Sequence, residues 1–537
     1  MTAGPVRLPQ RFGVEAVGIA VLAVIAVVAV GLVVQPFGPS LHDPDAAASV
    51  LFFDRIAAGD RLEAFVPTTP KPLLTLLYGA AWNATGDWRL LGLLTLAALG
   101  VAIATGAALL LRVAGRPAAA FIVVAFVASS TLTIEVAHAN SVVWALAAWG
   151  VVGLAVTAGP RRSWVAGLAL AAAASFRNET FVLVGVATLG VVVLAALRWQ
   201  RPRPAPGTSG DARAWSGVLL GWLALPLAAV HSQLLTGDAW AWLSVPAGYT
   251  ALTTPDLRPT SPLAFASEVI DRYATEPILL ILAAMGIVWL VRQRQWALTA
   301  GLLGLTAGIV ALIGFVAWRG TYVTPRYFEQ VELGLVVAAA VGAGALILEA
   351  QRFAFGGDAG RRWTRAAPLA GVVAAAALAL LVVAPPGPFD AQLSVRLVAE
   401  RGISANAAFS VPILRDRLAA ETSPVPSPIQ GPRGLSIVDP ATATLIVPRP
   451  LWTRLAVELD APLTRLADSW LAFRDRGVLE SVRPGQTVFH DRVADTPRDL
   501  YLPLEATSPP SRPGVRLASV FSDAVRGLWI LSVEPQP

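Results

Sequence analysis

An α-helical polytopic membrane protein with a small α/β domain at its carboxyl end is the fold class this sequence predicts, and three observations predict it. Hydrophobic residues make up 55% of the 537 and charged residues only 14%, for a mean hydropathy of +0.63. The apolar residues fall into long runs, each near the roughly 20 residues that a helix needs to cross about 30 Å of hydrocarbon. These runs stop near residue 385, and the stretch 386–537 is more polar and contains none. The absence of cysteine excludes a disulfide framework and a thiolate metal site. The net charge of +6 does not point to nucleic acid, because the arginines sit in short loops beside apolar runs, where they set orientation.

Taken in order, the runs predict about eleven spans. A basic start, Arg7 and Arg11, precedes the first at 14–34, which has no small-residue cleavage site and is therefore expected to stay as a first helix. A polar first outer loop, 35–89, follows, with amphipathic pieces at 46–58 and 72–82 that read as interfacial helices. Further spans are predicted at 90–111, 117–134, 140–157, 163–176, 180–197 and 214–235. Two more flank Arg292 and Arg294, the tenth runs over 327–348, and the eleventh ends near 385. The whole region 1–385 reads as one transmembrane domain and 386–537 as a separate soluble one, entered through Pro385-Pro386-Gly387-Pro388. In that tail, 392–401, 411–421 and 451–459 look helical, and 434–438, 443–447, 487–489 and 528–533 look like strands.

The loops orient these spans. Arg112, Arg116, Arg161, Arg162, Arg198, Arg201, Arg203, Arg213, Arg292, Arg294, Arg352, Arg361, Arg362 and Arg365 fall on the side of the amino terminus. Asp43, Asp45, Asp54, Asp60, Glu63, Asp87, Glu135, Glu179, Asp256, Glu268 and Glu276 fall on the other. By the positive-inside rule the amino terminus is cytoplasmic, and an odd number of spans places the carboxyl-terminal domain outside, on the face of Asp43, Lys71 and Arg177. The setting expected is a bacterial-type plasma membrane. Trp164, Trp199, Trp215, Trp296 and Trp318 lie near span ends and read as headgroup anchors. Trp240 and Trp242, in an outer loop with Tyr249, can instead cover a lipid or acceptor site.

Lys71 is the only lysine among 41 basic residues. An arginine-rich coding bias explains the excess of arginine but not this exception, which suggests a need for a compact, strongly hydrated ammonium. His42 abuts the acidic pair Asp43 and Asp45 and can tune it or bind metal, His138 and His231 at or near span ends read as hydrogen-bonded packing residues, and His490 sits in a Phe489-His490-Asp491 turn with no second ligand in spacing.

Four short motifs, in order and on one face, resemble the polytopic GT-C glycosyltransferases that use polyprenyl-phosphate sugars, a group that includes aminoarabinose transferases and bacterial protein O-mannosyltransferases. They are Asp43-Pro44-Asp45 in the first outer loop, Lys71-Pro72-Leu73 with Gly86-Asp87 and Arg89-Leu90, Arg177-Asn178-Glu179 at a span junction, and Pro325-Arg326-Tyr327 before a late span. The resemblance covers residues 14–385 and implies sugar transfer from a polyprenyl-phosphate donor to a cell-envelope glycan, lipid or protein on the outer face. Such transfer needs a base for the acceptor hydroxyl and cations for the leaving phosphate. Asp43 or Asp45 fits the first role, with the other orienting the acceptor or sharing a divalent cation. Lys71, Arg177, Arg258, Arg326 and Tyr327 fit the second, and His42, Glu179, Trp240 and Trp242 are candidate acceptor or lipid contacts. A single displacement inverts the anomeric carbon. A different arrangement of the same charges has them pairing with each other, Arg177 with Glu179 or Glu135 and Arg326 with Glu329. A different function is a transporter or flippase of lipid-linked sugars, which should carry ionisable groups near the bilayer midplane and repeated halves.

Overall fold

The computed structural model describes residues 12–34, 44–66, 68–69, 71–199, 212–243, 245, 262–274, 276–318, 328–355, 367–383, 393–430, 436–469, 482–491, 511–523 and 528–536. The chain is mostly helical up to residue 383. The helices are α1 (Phe12–Val34), α2 (Pro44–Ala58), α3 (Pro72–Thr85), α4 (Trp88–Ala128), α5 (Ser130–Ala137), α6 (Ser141–Thr157), α7 (Ser163–Phe176) and α8 (Phe181–Trp199). They continue as α9 (Ala212–Trp215), a 3-10 stretch Ser216–Leu223, α10 (Ala224–Thr236), α11 (Pro262–Ala274), α12 (Pro277–Arg292), α13 (Trp296–Trp318), α14 (Glu329–Phe355) and α15 (Ala367–Val383). Five are long and apolar enough to cross a membrane, or six if the bent pair α5–α6 is one span, and three shorter apolar helices accompany them. The structure is thus that of a multi-pass membrane protein, while the crossing number of eleven is not reached by length and composition alone.

Local chemistry explains most boundaries. Prolines open α2 and α3, where a missing N–H costs nothing. Gly86, at φ 63°, closes α3 by donating its N–H to the Trp82 carbonyl, and Asp87 then caps α4 by accepting from the Arg89 N–H at 2.8 Å. The Gly-acid turn is therefore a stop signal followed directly by a start signal. Helix α4 is really two: Gly115 has φ 80°, and a Cβ on Gly106 would lie 3.9 Å from Ile122 Cγ1, sixteen positions on, which a straight helix would carry about 24 Å away. The chain reverses there, beside Arg112 and Arg116, as two separate spans require. The second of them is interrupted at Ser129, so the predicted 117–134 run is divided between α4 and α5, with Ser129 capping α5. Between α5 and α6 the axis bends by 115°.

The helices pack through small residues. A Cβ on Gly286 of α12 would stand 1.9 Å from the Ala338 carbonyl of α14, and one on Gly342 would stand 1.9 Å from the Leu282 carbonyl. Ala338 and Gly342 are four apart, the spacing that lets two backbones approach in a medium with no hydrophobic drive. Outward-facing apolar side chains such as Leu22, Val24, Ile25, Leu189 and Val192 are exposed, as a lipid-facing surface demands. Trp164, Trp296 and Trp318 are also well exposed, at 55%, 60% and 73%, in keeping with anchors at the headgroup level.

Beyond residue 393 the architecture changes. A single helix, α16 (Leu393–Ala419), replaces the two helices expected over 392–401 and 411–421, and it runs through Pro412. Strands β1 (Ile429–Gln430) and β2 (Ser436–Ile437) form a small ribbon. Strands β3 (Leu445–Val447), β4 (Leu466–Asp468), β5 (Thr487–Asp491), β6 (Ser511–Arg512), β7 (Val515–Asp523) and β8 (Leu528–Pro535) form a mixed sheet in the order β4-β3-β5-β8-β7-β6. Strand β3 is parallel to both β4 and β5, with helix α17 (Trp452–Leu459) as the β3–β4 crossover, and the other pairs are antiparallel. The core of this sheet is shared with the first outer loop, since Ala48, Leu51 and Phe52 of α2 and Ala64 and Val66 beyond it pack among Leu445, Leu455, Phe489 and Ile530. The Phe65 N–H donates to the Ser436 carbonyl at 2.8 Å, and Trp88 Nε1 donates to Glu458 Oε1 at 2.8 Å. The sheet and the first outer loop therefore lie at the same end of the helix bundle.

Candidate functional site

The N-terminal ends of α2 and α3 bring Asp45 and Lys71 together. Asp45 sits in the first turn of α2, and Lys71 is the residue before α3, kept out of the helical region at φ −130° and ψ 76° by the proline that follows. A cation at a helix N-terminus opposes the helix dipole, and the carboxylate at 2.6 Å offsets it. Thr68 closes the group: its Oγ1 donates to Asp45 Oδ1 at 2.5 Å and accepts from Lys71 Nζ at 3.1 Å. Both charged side chains are buried, at 7% and 6% exposed, so the charges are taken out of water as a hydrogen-bonded triad rather than left to reach for the interface. Lys71 is thus not a lysine whose stem covers apolar surface while its ammonium stays wet.

A second layer lies one to two turns along α3. Thr75 meets His231 Nε2 at 3.0 Å, and the imidazole stands edge-on to Phe52 of α2 at 5.8 Å, which bears out a hydrogen-bonded packing histidine. Tyr78 is fully buried, and its hydroxyl is bonded to Thr95 Oγ1 at 2.7 Å, the Ala139 carbonyl at 2.9 Å and Trp144 Nε1 at 3.0 Å. Burial pushes the Tyr78 phenol well above the ordinary tyrosine range, hydrogen bonds from Thr95 and Trp144 work against that, and the negative charge of Asp45 adds to it. Ala139, at φ 52°, is a left-handed residue at the 115° bend between α5 and α6, where Glu135, His138 and Asn140 are also buried.

The third group surrounds Arg177, the residue that ends α7. Its Nη2 is 3.3 Å from Glu179 Oε1, so one of the two pairings expected for this arginine is realised. With the Gln330 amide turned oxygen-first, that oxygen accepts from Arg177 Nη2 at 2.8 Å and Nε at 3.1 Å. Gln330 lies in the first turn of α14, three residues past Tyr327, so the late span delivers a partner for Arg177 from 153 positions away in sequence. Thr180, completely buried, accepts from Trp149 Nε1 at 3.3 Å and holds the turn below.

Of the residues singled out from the sequence, the structure joins Asp45 with Lys71 and Arg177 with Glu179. Trp242 stacks on Phe181, two positions beyond Glu179, at 6.2 Å, whereas Trp240 is 52% exposed and stands apart. His42, Asp43, Arg258, Arg326 and Tyr327 lie outside the described residues, as does the side chain of Glu329. Thr68, Tyr78 and Gln330 were not foreseen. The available signal was weak: each is an uncharged polar residue three to seven positions from a charged motif residue, and only the fold shows what it touches. Among the described residues no three His, Asp or Glu side chains are placed to hold a metal ion.

The fold and these groups define a class, a multi-pass helical membrane protein with buried charged clusters at the end where a mixed sheet is docked. No family model matches the chain, and no curated protein matches it. Among solved structures, the oligosaccharyltransferase of Archaeoglobus fulgidus, crystallised tethered through a disulfide bond to an acceptor peptide with the NVT sequon, is similar over 90% of this chain and 69% of that one. The identity is 12% and the TM-score 0.45. A likeness so distant bears on neither the site nor its chemistry.

Proposed function

We propose that this chain is an integral-membrane glycosyltransferase that moves a sugar from a polyprenyl-phosphate donor to a cell-envelope acceptor on the outer face of a bacterial-type plasma membrane. The observation that carries the reading is the buried Asp45–Thr68–Lys71 triad, set at the bundle end where the carboxyl-terminal sheet docks on the first outer loop. In this reading Asp45, with both donors already on Oδ1, holds the site together, and Asp43 takes the proton of the acceptor hydroxyl. The acceptor oxygen bonds to the anomeric carbon from the face opposite the phosphate, the carbon–oxygen bond to phosphate breaks, and polyprenyl phosphate leaves with the configuration inverted. Lys71, Arg177, Arg258, Arg326 and Tyr327 answer the negative charge that grows on the leaving group. Glu179 holds Arg177, while His42, Trp240 and Trp242 contact acceptor or lipid. About eleven spans give an amino terminus inside and residues 386–537 outside.

Release of polyprenyl phosphate from synthetic polyprenyl-phosphate mannose, glucose and arabinose, measured in membranes carrying the full chain, tests the chemistry. The chain should release it from one of these donors, and Asp43→Asn should slow release by on the order of 10² to 10⁴. Near-normal release by both Asp43→Asn and Asp45→Asn would move the reaction to other residues. The transporter reading predicts instead movement of the intact donor across vesicles without its cleavage. Orientation is tested separately, since the chain has no thiol of its own: a cysteine at Ser427 should be labelled only from outside and one at Ser209 only from inside. Labelling of position 427 from the cytoplasm alone would overturn the span count.

A further inference from the structure

Lys71 precedes α3 and Arg177 ends α7, so their relative placement depends on what joins these two helices. Tyr78 touches both routes. It lies seven residues beyond Lys71, two turns or about 10 Å along α3. Its hydroxyl receives the Trp144 Nε1 hydrogen at 3.0 Å, and Trp144 stacks at 5.4 Å and 28° on Phe176, the neighbour of Arg177 in the chain. The same hydroxyl reaches Thr95 of α4 at 2.7 Å and the Ala139 carbonyl of the α5–α6 bend at 2.9 Å. Thr95 also stands 2.7 Å from the Leu91 carbonyl, which the helix ladder already serves. With one proton on each hydroxyl, the economical arrangement has Tyr78 donating to Ala139 while it accepts from Thr95 and Trp144, which fills a phenolic oxygen completely. Ala46, next to Asp45, and Phe176, next to Arg177, pack in one apolar cluster with Tyr78.

We infer that Tyr78 is a positioning residue that sets Lys71 and Arg177 at the spacing needed to grip one phosphate group. The inference rests on the donor-phosphate role proposed above. It is tested with the full chain in lipid nanodiscs and farnesyl phosphate as the probe, by titration calorimetry on a double-mutant cycle of Lys71→Ala and Arg177→Ala. Two cations gripping one phosphate should be coupled, each single change weakening binding by about tenfold and the double change by less than the product. Tyr78→Phe should abolish that coupling. Trp144→Phe, which keeps a ring on Phe176 but removes the N–H, should do the same if Tyr78→Phe fails to fold. Thr188→Val, which takes the acceptor from Trp222 Nε1 at 2.9 Å elsewhere in the bundle, matches the kind of bond lost and should leave the coupling intact. Coupling that survives Tyr78→Phe or Trp144→Phe sinks the inference alone. Farnesyl phosphate affinity that is indifferent to both Lys71→Ala and Arg177→Ala sinks the donor-phosphate reading beneath it.

Discussion

Lys71 and Arg177 are both buried cations at one end of the same bundle, yet they are held in opposite ways. Lys71 meets a carboxylate and a hydroxyl, all three from residues 45 to 71. Arg177 meets a neutral amide oxygen through two nitrogens and a carboxylate from the next turn, with Gln330 arriving from a distant helix. An ammonium bonds as a point, so its site can be small and local. A guanidinium bonds as a planar fork, so its site must present partners in its plane and draws on more of the fold. That contrast supplies a physical reason for one lysine in a chain otherwise furnished with arginine: Asp45 Oδ1 and Thr68 Oγ1 meet the ammonium as a point, at 2.6 and 3.1 Å, rather than as a planar fork.

The largest expected effect breaks the smaller site. Asp45→Asn leaves a buried ammonium without its counter-charge, which should cost about 3–5 kcal/mol. Thermal unfolding of the purified chain measures it, and Asp45→Asn combined with Lys71→Met should recover most of the loss because no buried charge is then left uncompensated. A cost near zero for Asp45→Asn would mean the pair is solvated, contrary to its burial. Next comes Lys71→Arg, which conserves charge but not shape: donor cleavage should fall by about tenfold or more, the size of one lost charge-assisted contact. Full activity would reduce the lone lysine to an accident of composition.

Arg177→Lys should do less, since one of the two nitrogen contacts to Gln330 survives, and donor cleavage in the same assay should fall by only about threefold. Were it more damaging than Lys71→Arg, the point-versus-fork distinction would be reversed. The smallest effect belongs to Asp54, on the same helix as Asp45. Burial pushes its carboxyl up, against the Asn83 hydrogen bond and the Arg55 charge that push it down, with Asp460 adding to the rise. A carboxyl raised in the folded chain holds its proton longer there than in the unfolded one, so stability falls as pH rises from the ordinary carboxylate value through the raised one. Asp54→Asn should remove that slope and slightly raise the unfolding temperature at neutral pH relative to the parent, with the difference vanishing in acid.

What the sequence by itself determined was local. Apolar run length placed α7 on its predicted residues and opened α3 at Pro72, while α3 runs three residues past its expected end at 82, to the turn at Gly86. The same reasoning broke α16 between 401 and 411, where the helix instead runs on, and it passed over β4 and β7. Strand β7 is a sheet member because β8 pairs with it. The site followed the same line. Asp45 and Lys71 were visible as charges in a polar loop, but their pairing through Thr68, the capture of Arg177 by Gln330 and the threefold bonding of Tyr78 were decided only when helices far apart in sequence closed on one another. Pairing in a water-poor interior is fixed by distance and direction to within tenths of an ångström, and residue order alone carries no such information.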